Sequence, residues 1–410
     1  MKNKKTICLV TNWYPTNENP VRGCFFKEQA FAVADYFDFI VVHYSEHIRK
    51  NIFKKDRVYK INEENNTIEY SIDVQIPIML YFFNCLYNFK VKTLLKKKED
   101  GVGEYILPKK ASFSKNKIVS LFSTNIKDNI DAFYCVDAQI EAYNISCLAK
   151  HYNKPYVVGE HAPVPWPGTV INDINKHAIE DADLYLAISN DKIRQLLLQN
   201  IKLPKTIYIG NLIDENKLKC VPTDNNIKTF IIVGSHSFYK NYDLFIKVMN
   251  RLVEITSIDF KVMIVGYGAN KGYAKDVDEF ENRIKSSKFA DKTILIPAVP
   301  HNEIGTVLNR ADAFIMTSIQ EGQPVSAMEA ACCGLPIFST RCGGVEDYVD
   351  DKVGRIYDVM DFESMANDLK LFLEEKIKFD SEYIRENVVK RFGRNMFIKT
   401  FKKEFELLMY

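Results

Sequence analysis

The sequence predicts an α/β protein made of two doubly wound parallel-sheet domains that face a central cleft. Two observations support this prediction. Short apolar segments alternate with helical segments, and the alternation stops at a polar stretch and then begins again. The chain has 410 residues, 47% of them hydrophobic and 26% charged, which is enough to bury the cores of two domains. In such folds, ligands bind at the carboxyl ends of the strands.

The first alternation occupies the N-terminal half of the chain. A helix is predicted over residues 25–36. The apolar segments are KTICLVT (5–11), FDFIVVHY (37–44), DAFYCVD (131–137) and KPYVVGEH (154–161). Nearly continuous apolar runs are typical of parallel strands that are covered by helices on both faces. We therefore assign residues 1–213 to an N-terminal domain.

The second alternation repeats this pattern after residue 226, with a helix predicted over residues 242–255. Its apolar segments are IKTFIIVGS (227–235), FKVMIVGYG (260–268), TILIPAV (293–299), ADAFIMTS (311–318) and LPIFST (335–340). The polar stretch 214–226 contains Pro222 and lacks periodicity, as linkers do. We assign residues 227–390 to a C-terminal domain. The amphipathic segment 391–410 is predicted to be a final helix.

The charge distribution argues against a nucleic-acid partner, because the formal net charge is only +2. The charge is nevertheless uneven. The first 130 residues contain 21 Lys and Arg but 14 Asp and Glu, so a basic patch is expected on the N-terminal half.

The nine cysteines are odd in number and include no CxxC pair. Several lie in apolar segments, among them Cys8, Cys85, Cys135 and Cys147, which favours buried thiols over disulfides or zinc ligands. A reducing, cytoplasmic location is therefore expected. The N-terminal residues are interpreted as a first strand and not as a signal peptide.

The best candidate for membrane contact is the aromatic segment 76–89, IPIMLYFFNCLYNF, which is followed by the lysine-rich segment 90–98. It could lie on the anionic, cytoplasmic face of a bilayer as a peripheral contact. The alternative is an ordinary core helix with a solvated lysine end. No stretch reaches the ~20 apolar residues that a membrane-spanning helix needs.

Two carboxylates stand out near the last predicted strands. Glu321 lies in a turn that follows residues 314–318, and Glu329 lies in a predicted helix over residues 326–333. A helix N-terminus at such a position favours an anion. Glu329 has two interpretations: it closes a capping box with Ser326, or it binds a ribose diol while Glu321 binds a second polyol.

Together these residues form a longer motif. Its parts are Glu321-Gly322, Glu329-Ala330, Gly334-Leu335-Pro336 and Gly343-Gly344-Val345-Glu346. The motif resembles the EX7E signature of the family 4 glycosyltransferases, continued as EAxxxGxP and GGxxE. The resemblance implies the GT-B fold, in which two Rossmann-like domains face a cleft. It also implies that the final helix, 391–410, crosses back to the N-terminal domain.

The resemblance extends to the N-terminal half, where residues 9–30 are similar to the family's first strand and acceptor-side loop. It implies that Gly23, after Arg22, approaches a diphosphate; alternatively Gly23 is only a turn glycine. His161 matches the family's active-site histidine, which lines the donor sugar pocket. The alternative is a histidine that is merely packed.

Residues 231–241 resemble the family's VGRLxxxKG segment, in which an Arg and a Lys neutralise the diphosphate. Lys240 keeps the lysine position and Gly234 the glycine, but Ser235 replaces the arginine. A serine cannot supply the bidentate, charged contact of a guanidinium. His236, Lys240 or a basic residue elsewhere would have to compensate.

The resemblance assigns roles to further positions. Residues 211–214, NLID, resemble the family's NGVD turn, and Pro297 replaces a glycine near the base, which leaves the base undefined. The predicted catalytic residues are His161, Lys240 and Glu321. The predicted donor-binding and nucleotide-binding residues are Gly23, Gly234, Ser235, Lys240, Val299, Gly322, Gln323, Pro324, Val325 and Glu329.

The function that the resemblance implies is retaining glycosyl transfer from a nucleotide sugar to a glycan or lipid-linked acceptor, in bacterial cell-surface polysaccharide synthesis. No metal or other cofactor is expected, and Asp181-Ala182-Asp183 is interpreted as a helix-to-strand junction and not as a metal-binding DxD. Two alternatives stay open. One is a weak or inactive sugar-nucleotide-binding protein, and the other is a GT-B enzyme of another reaction.

Overall fold

The computed structural model describes residues 4–11, 14–15, 23–49, 53, 55–94, 108–126, 129–161, 171–221, 226–268 and 274–409. The chain forms two compact units, one of residues 1–210 with 397–410 and the other of residues 211–396. Each unit is a Rossmann-like α/β domain around a mainly parallel sheet, as the sequence predicts. The division into domains at residues 213, 226 and 390 stays a prediction.

The first unit contains an eight-stranded sheet in the order β3-β4-β2-β1-β5-β6-β7-β8. Its strands are β1 (Lys5–Val10), β2 (Phe37–Arg49), β3 (Arg57–Glu64), β4 (Thr67–Pro77), β5 (Ala132–Cys135), β6 (Tyr156–Gly159), β7 (Leu184–Ala187) and β8 (Thr206–Tyr208). Its helices include α1 (Cys24–Ala32), α2 (Ile78–Leu94), α3 (Pro108–Asn125), α4 (Ala138–Tyr152), α5 (Asp173–Glu180) and α6 (Asn190–Leu198). The strand order reverses between β1 and β5, where such sheets bind ligands.

Strands β3 and β4 form an antiparallel hairpin at the edge of this sheet. Asn65 and Asn66 make the two-residue turn with φ angles of 49° and 58°, a conformation that asparagine tolerates better than most residues. The period-2 pattern of β3 is weak because most of its side chains are exposed.

The second unit contains a six-stranded, fully parallel sheet in the order β11-β10-β9-β12-β13-β14. Its strands are β9 (Thr229–Val233), β10 (Lys261–Val265), β11 (Thr293–Ile296), β12 (Ala313–Met316), β13 (Ile337–Thr340) and β14 (Gly354–Tyr357). Its helices are α7 (Tyr242–Ile255), α8 (Ala274–Lys285), α9 (Ile304–Leu308), α10 (Val325–Cys332), α11 (Phe362–Leu373) and α12 (Ser381–Phe392). The order reverses between β9 and β12.

The sequence predicted the strands of both sheets well where they are apolar and buried. The helix predicted over residues 242–255 is α7 with the same limits. The helix predicted over residues 25–36 is α1, which ends at Ala32. Strands β3, β4, β8 and β14 were not predicted; β3 is largely exposed and β8 has only three residues.

Helix α13 (Arg394–Met409) ends the chain, and its residues from 397 onward belong to the first unit. Its buried face carries Phe397, Phe401 and Phe405 at helical spacing. The Phe401 ring lies 6.0 Å from that of Phe37, measured between ring centres. Lys205 adds an ion pair of 2.6 Å to the buried carboxylate of Glu404. Apolar periodicity therefore positions the last helix on the first sheet.

Candidate active site

The centre of the candidate site is an ion pair between Lys240 and Glu321. The Lys240 Nζ lies 2.8 Å from Glu321 Oε1, and the two side chains are 22% and 15% exposed. Lys240 follows β9 and Glu321 follows β12, so both lie at the carboxyl edge of the second sheet where its strand order reverses. This is the edge at which open α/β sheets bind ligands. The fold therefore brings together two residues that are 81 positions apart.

The Glu321 carboxylate is held by a second donor. Ser318 Oγ donates to Glu321 Oε1 at 2.7 Å, the same oxygen that accepts from Lys240. Among the described residues both contacts engage Oε1, so Oε2 can accept from a ligand hydroxyl without breaking either contact. The arrangement suits a carboxylate that binds a polyol beside a lysine that binds an anion.

The path of the Lys240 side chain explains the glycine at position 234. A Cβ added to Gly234 would lie 2.9 Å from the Lys240 Cε and 3.2 Å from its Cδ. The Gly234 carbonyl accepts from the Tyr242 hydroxyl at 2.8 Å, and Thr317 donates to the Lys240 carbonyl at 3.1 Å. Gly234 thus lets the lysine stem cross the end of β9 toward Glu321.

The loop of Glu321 is positioned by the segment that follows β13. Glu321 N donates to the Cys342 carbonyl at 2.6 Å, and Gly343 N donates to the Glu346 carboxylate at 3.1 Å. A Cβ on Gly344 would lie 2.5 Å from the Gly322 carbonyl oxygen and 2.7 Å from Gln323 Cα. Only glycine allows the two segments to come this close. The GGxxE part of the motif therefore supports the loop that carries Glu321.

Replacing Gly344 by alanine is expected to destabilise the second unit and to displace this loop. The φ angle of 70° costs a side chain about 1–2 kcal/mol, and the clash adds about 1–3 kcal/mol. Gly266→Ala is the matched control, because its φ is 82° but its nearest contact would be 3.7 Å. Urea unfolding of both variants separates the two effects. Equal losses of stability would show that the close approach does not matter.

Glu329 is buried in α10 and contacts a histidine that the sequence did not single out. The His301 Nε2 lies 2.8 Å from Glu329 Oε1, and the Glu329 side chain is 8% exposed. His301 lies between β11 and α9, so it adjoins Glu329 through the fold and not through the sequence. Its position after an apolar strand and Pro300 was the only sequence signal that could have identified it.

The capping-box interpretation of Glu329 is wrong. Helix α10 begins at Val325, its N-cap is Pro324, and no side chain caps it. Ser326 therefore lies inside the helix, beyond the position that a cap requires. Since Glu329 does not cap the helix, its buried carboxylate needs another partner, and His301 supplies one.

Gln323 has a structural role in addition to its predicted one. Its Oε1 accepts from the Asn211 amide N at 2.5 Å, and its carbonyl accepts from Asn211 Nδ2 at 3.0 Å. Both residues are buried. Gln323 thus holds the turn at residues 211–214 against the loop through its side chain and its carbonyl. The backbone N–H of Gln323 is the group that can face a ligand.

His236, one of the residues expected to compensate for Ser235, packs against aromatic side chains. The His236 ring stacks on Phe280 at 4.6 Å between centres and lies 5.9 Å from the Tyr242 ring. Ser235 is only partly buried beside it. Lys240 is thus the cation of this segment that reaches the carboxylate.

Val299 follows β11 and packs, partly buried, against the apolar cluster of the second unit. Pro297, at the end of the same strand, contacts Gly268, whose N donates to the Pro297 carbonyl at 2.9 Å. The proline therefore fits beside a glycine on the neighbouring segment. These contacts shape the strand end next to His301.

In the first unit the structure brings the regions of Gly23 and His161 together. Gly23 caps α1 at a φ of 61°, and the following residues Phe25 and Phe26 contact the His161 ring at 6.2 Å and 4.8 Å. His161 N donates to the Val136 carbonyl at 3.0 Å. Both residues therefore lie at the carboxyl edge of the first sheet. Arg22 is outside the described residues.

Glu160, next to His161, is fully buried and accepts from Gln139 N at 3.0 Å. The buried Lys192 is its electrostatic partner: burial lowers the pKa of Lys192 to about 8, and the charges of Glu160 and Asp191 oppose that shift. Glu160 and Lys192 are therefore assigned a structural role.

The Asp181-Ala182-Asp183 segment lies at the opposite ends of the strands from His161. Asp181 forms an exposed ion pair of 3.1 Å with Lys150, and Asp183 Oδ2 accepts from Tyr156 N at 2.9 Å. The two carboxylates thus have separate partners at a helix-to-strand junction. Among the described residues no group of three or more His, Cys, Asp or Glu could hold a metal ion.

A cavity of about 760 Å³ lies at the amino-terminal edge of the second sheet. Lys228, Asp312, Pro336 and Arg385 are among its lining residues. It contains none of the predicted site residues. The chemistry of Lys240 and Glu321 is therefore at the other edge of the same sheet.

Comparison with known proteins finds a family model that is similar to the second unit. Residues 214–391 match the family model described as glycosyl transferases group 1. The matched residues lie within the second unit, residues 211–396. That range contains Lys240, Glu321, Glu329 and His301, the residues that the fold brings to the carboxyl edge.

Two curated relatives are also similar to this chain. One is a phosphatidylinositol N-acetylglucosaminyltransferase component of Arabidopsis thaliana, 27% identical over 44% of this chain and 40% of that protein. The other is the protein CapJ of Staphylococcus aureus, 24% identical over 72% of this chain and 78% of that protein. The chain thus spans less than half of the Arabidopsis protein. Together with the domain match, these relatives support the prediction of a glycosyltransferase.

Solved structures of similar fold cover nearly the whole chain. The sucrose-phosphate synthase of Thermosynechococcus elongatus has a TM-score of 0.73 and 15% identity, covering 99% of both chains. The Anabaena Alr3699/HepE protein, solved in complex with UDP, has a TM-score of 0.71 and 15% identity, covering 98% of this chain and 100% of that one. At this identity the likeness shows the fold alone. It is the GT-B fold, as the sequence predicts.

Proposed function

We propose that this protein is a retaining, family 4-like glycosyltransferase that transfers a sugar from a nucleotide sugar to a glycan or lipid-linked acceptor hydroxyl. The observation that carries this proposal is the Lys240–Glu321 ion pair of 2.8 Å at the edge where the order of the second sheet reverses. An anion-binding cation beside a hydroxyl-binding carboxylate suits the two halves of a nucleotide sugar. The glycosyl transferases group 1 match over residues 214–391 includes both.

The chemistry requires stabilisation of the negative charge that grows on the leaving diphosphate. Lys240 supplies a positive charge, and the start of α10 with the loop before it supplies the backbone N–H groups of Gly322, Gln323 and Val325. Glu321 orients the hydroxyls of the transferred sugar, and Glu329 binds the ribose diol. In this proposal no side chain forms a covalent bond to the sugar, and the leaving phosphate accepts the proton of the acceptor hydroxyl.

In the first unit, His161 and Gly23 are the residues that the proposal assigns to donor binding. The His161 ring, which contacts Phe25 and Phe26, lines the donor sugar pocket in this proposal, and Gly23 lets the backbone approach the diphosphate. The Alr3699/HepE structure contains UDP, which supports a nucleotide-sugar donor for this chain by likeness of fold. A role in cell-surface polysaccharide synthesis and a cytoplasmic location are part of the same proposal.

A second candidate is a sugar-nucleotide-binding protein with weak or no transferase activity. The packing of His236 against Phe280 favours it, because Ser235 supplies no charge and His236 is held away by stacking. The diphosphate would then face a single cation from this segment, Lys240. The two candidates differ in turnover and not in binding.

A screen of UDP-, GDP- and ADP-sugars separates them. The full chain is incubated with each donor, with and without EDTA, and the released nucleotide is measured. We expect slow hydrolysis of at least one donor at a rate that EDTA does not change, and NMR of the first released sugar should show the donor's anomeric configuration. Thermal stabilisation by nucleotides without turnover would establish the second candidate. Neither turnover nor stabilisation would overturn both.

A further inference from the structure

Helix α2 in the first unit has an inverted burial pattern. Its large apolar side chains are exposed: Met79 is 59% exposed, Phe82 53% and Leu86 49%. Its buried residue is polar, because Asn84 is 2% exposed. A helix that packs on a core shows the opposite pattern. The sequence alternative of an ordinary core helix is therefore wrong, and Cys85, expected to be a buried thiol, is exposed as well.

The exposed residues of α2 form one continuous apolar face. Residues 78, 82, 86 and 89 recur every three or four positions, so they share one side of the helix, and Met79 and Phe83 extend it. The opposite side carries Asn84 and Asn88, with Asn88 Nδ2 donating to the Asn84 carbonyl at 3.1 Å. The apolar face thus points away from the protein. A face of this extent marks an interaction surface.

The charged residues of α2 and of the sequence that follows it up to residue 98 are all basic. Helix α2 contains no Asp or Glu, and residues 90–98, KVKTLLKKK, contain five lysines and no acidic residue. Lys90 is exposed at the rim of the apolar face. The lysines add to the excess of 21 basic over 14 acidic residues in the first 130 positions. A surface that complements this helix has an apolar interior and an anionic boundary with water.

We propose that α2 lies flat on an anionic lipid bilayer, with its apolar face among the acyl chains and its lysines at the headgroups. The helix has 17 residues, about 25 Å, and no helix of the described residues is long and apolar enough to cross a membrane. An apolar face flanked by lysines is the pattern of interfacial helices.

This inference extends the proposed function, because a lipid-linked acceptor lies at a bilayer surface. Only this connection to the acceptor rests on the proposed function. The two can fail separately. Vesicle binding is measured without a nucleotide sugar, and donor hydrolysis is measured without lipid. Loss of one result therefore leaves the other intact.

The experiment is flotation of the full chain with vesicles of phosphatidylcholine alone or of phosphatidylcholine with phosphatidylglycerol. We expect binding to the anionic vesicles that exceeds binding to the neutral ones about tenfold at low salt and weakens at high salt. The double variant Phe82→Ser with Leu86→Ser should bind at least about tenfold less, because two apolar anchors are lost.

The matched control is Leu197→Ser with Leu198→Ser, two residues of α6 that are 54% and 72% exposed. It removes similar apolar surface elsewhere on the same unit and should bind vesicles like the unchanged chain. Lys90→Glu should weaken anionic binding roughly fivefold or more and leave neutral binding unchanged. Circular dichroism melting verifies that each variant is folded, and Phe83→Ser replaces the double variant if that one unfolds.

Four results would overturn the proposal. The first is that the chain fails to float with either vesicle, and the second is equal binding by the α2 and α6 variants. The third comes from light scattering: if the unchanged chain is a dimer that the α2 variant dissociates, the face joins two copies instead. Retained anionic selectivity in the folded α2 variant would likewise assign the contact to other residues.

Discussion

Replacing Lys240 by methionine is expected to lower kcat/KM for the preferred nucleotide sugar by about 10²- to 10³-fold. Removal of one charge-stabilising donor from a preorganised site has this effect on other enzymes. Methionine keeps the length of the stem that passes Gly234 but removes the charge that meets Glu321 and, in the proposed complex, the diphosphate. The measurement is nucleotide release under initial-rate conditions.

Lys292→Met is the control for this variant. Lys292 is 23% exposed, close to the 22% of Lys240, and pairs with Asp259 at 2.5 Å, but it precedes β11 and so lies at the other edge of the sheet. Its kcat/KM should be unchanged. Unaltered activity in Lys240→Met would remove the lysine from the site.

A double-mutant cycle with Glu321→Gln tests whether Lys240 acts beyond its ion pair. If the lysine only orients Glu321, the double variant will be no worse than Glu321→Gln alone. If Lys240 also binds the diphosphate, the double variant will lose more, because two separate contacts to the ligand are gone. The proposed function requires the second outcome.

The parallel sheets could be predicted from the sequence because their strands are buried on both faces. Buried strands have continuous apolar sequences, and the end of each such sequence marks the carboxyl edge of the sheet. Lys240 and Glu321 follow such sequences, so their positions at the strand ends could be predicted, while the resemblance to the family supplied their expected roles. Their ion pair confirms that the two strand ends adjoin but does not test their catalytic roles.

Other features were hidden because no local pattern encodes them. His301 contacts Glu329 because the segments that follow β11 and β12 lie at the same edge of one sheet. No periodic pattern in the sequence links residue 301 to residue 329. The capping-box interpretation of Glu329 likewise depended on where α10 begins. The helix begins at Val325, one residue before the predicted start, and Ser326 therefore cannot be its N-cap. In α2 the apolar residues predicted amphipathicity correctly, but only the fold shows that this face points outward.

Replacing Glu329 by glutamine is expected to weaken binding of the nucleoside diphosphate about 10²-fold or more. A carboxylate that accepts from two ribose hydroxyls makes two charge-assisted hydrogen bonds, each of about 1.5–3 kcal/mol. Glutamine keeps the shape of the buried side chain and loses the charge. The control is Glu303→Gln, an exposed carboxylate two residues from His301, which should bind like the unchanged chain.

Binding of deoxyribose analogues is a more specific test of the contact between Glu329 and the ribose. The unchanged chain should prefer the ribonucleotide to its 2′-deoxy and 3′-deoxy analogues, and Glu329→Gln should bind all three alike, because the carboxylate is what distinguishes them. His301→Gln should reduce that preference without abolishing it, since His301 holds Glu329 Oε1 at 2.8 Å. If His301 acts only by positioning, its effect will vanish in the Glu329→Gln background. Additive losses would mean that His301 contacts the nucleotide directly, and an undiminished ribose preference in Glu329→Gln would refute the assignment of the carboxylate.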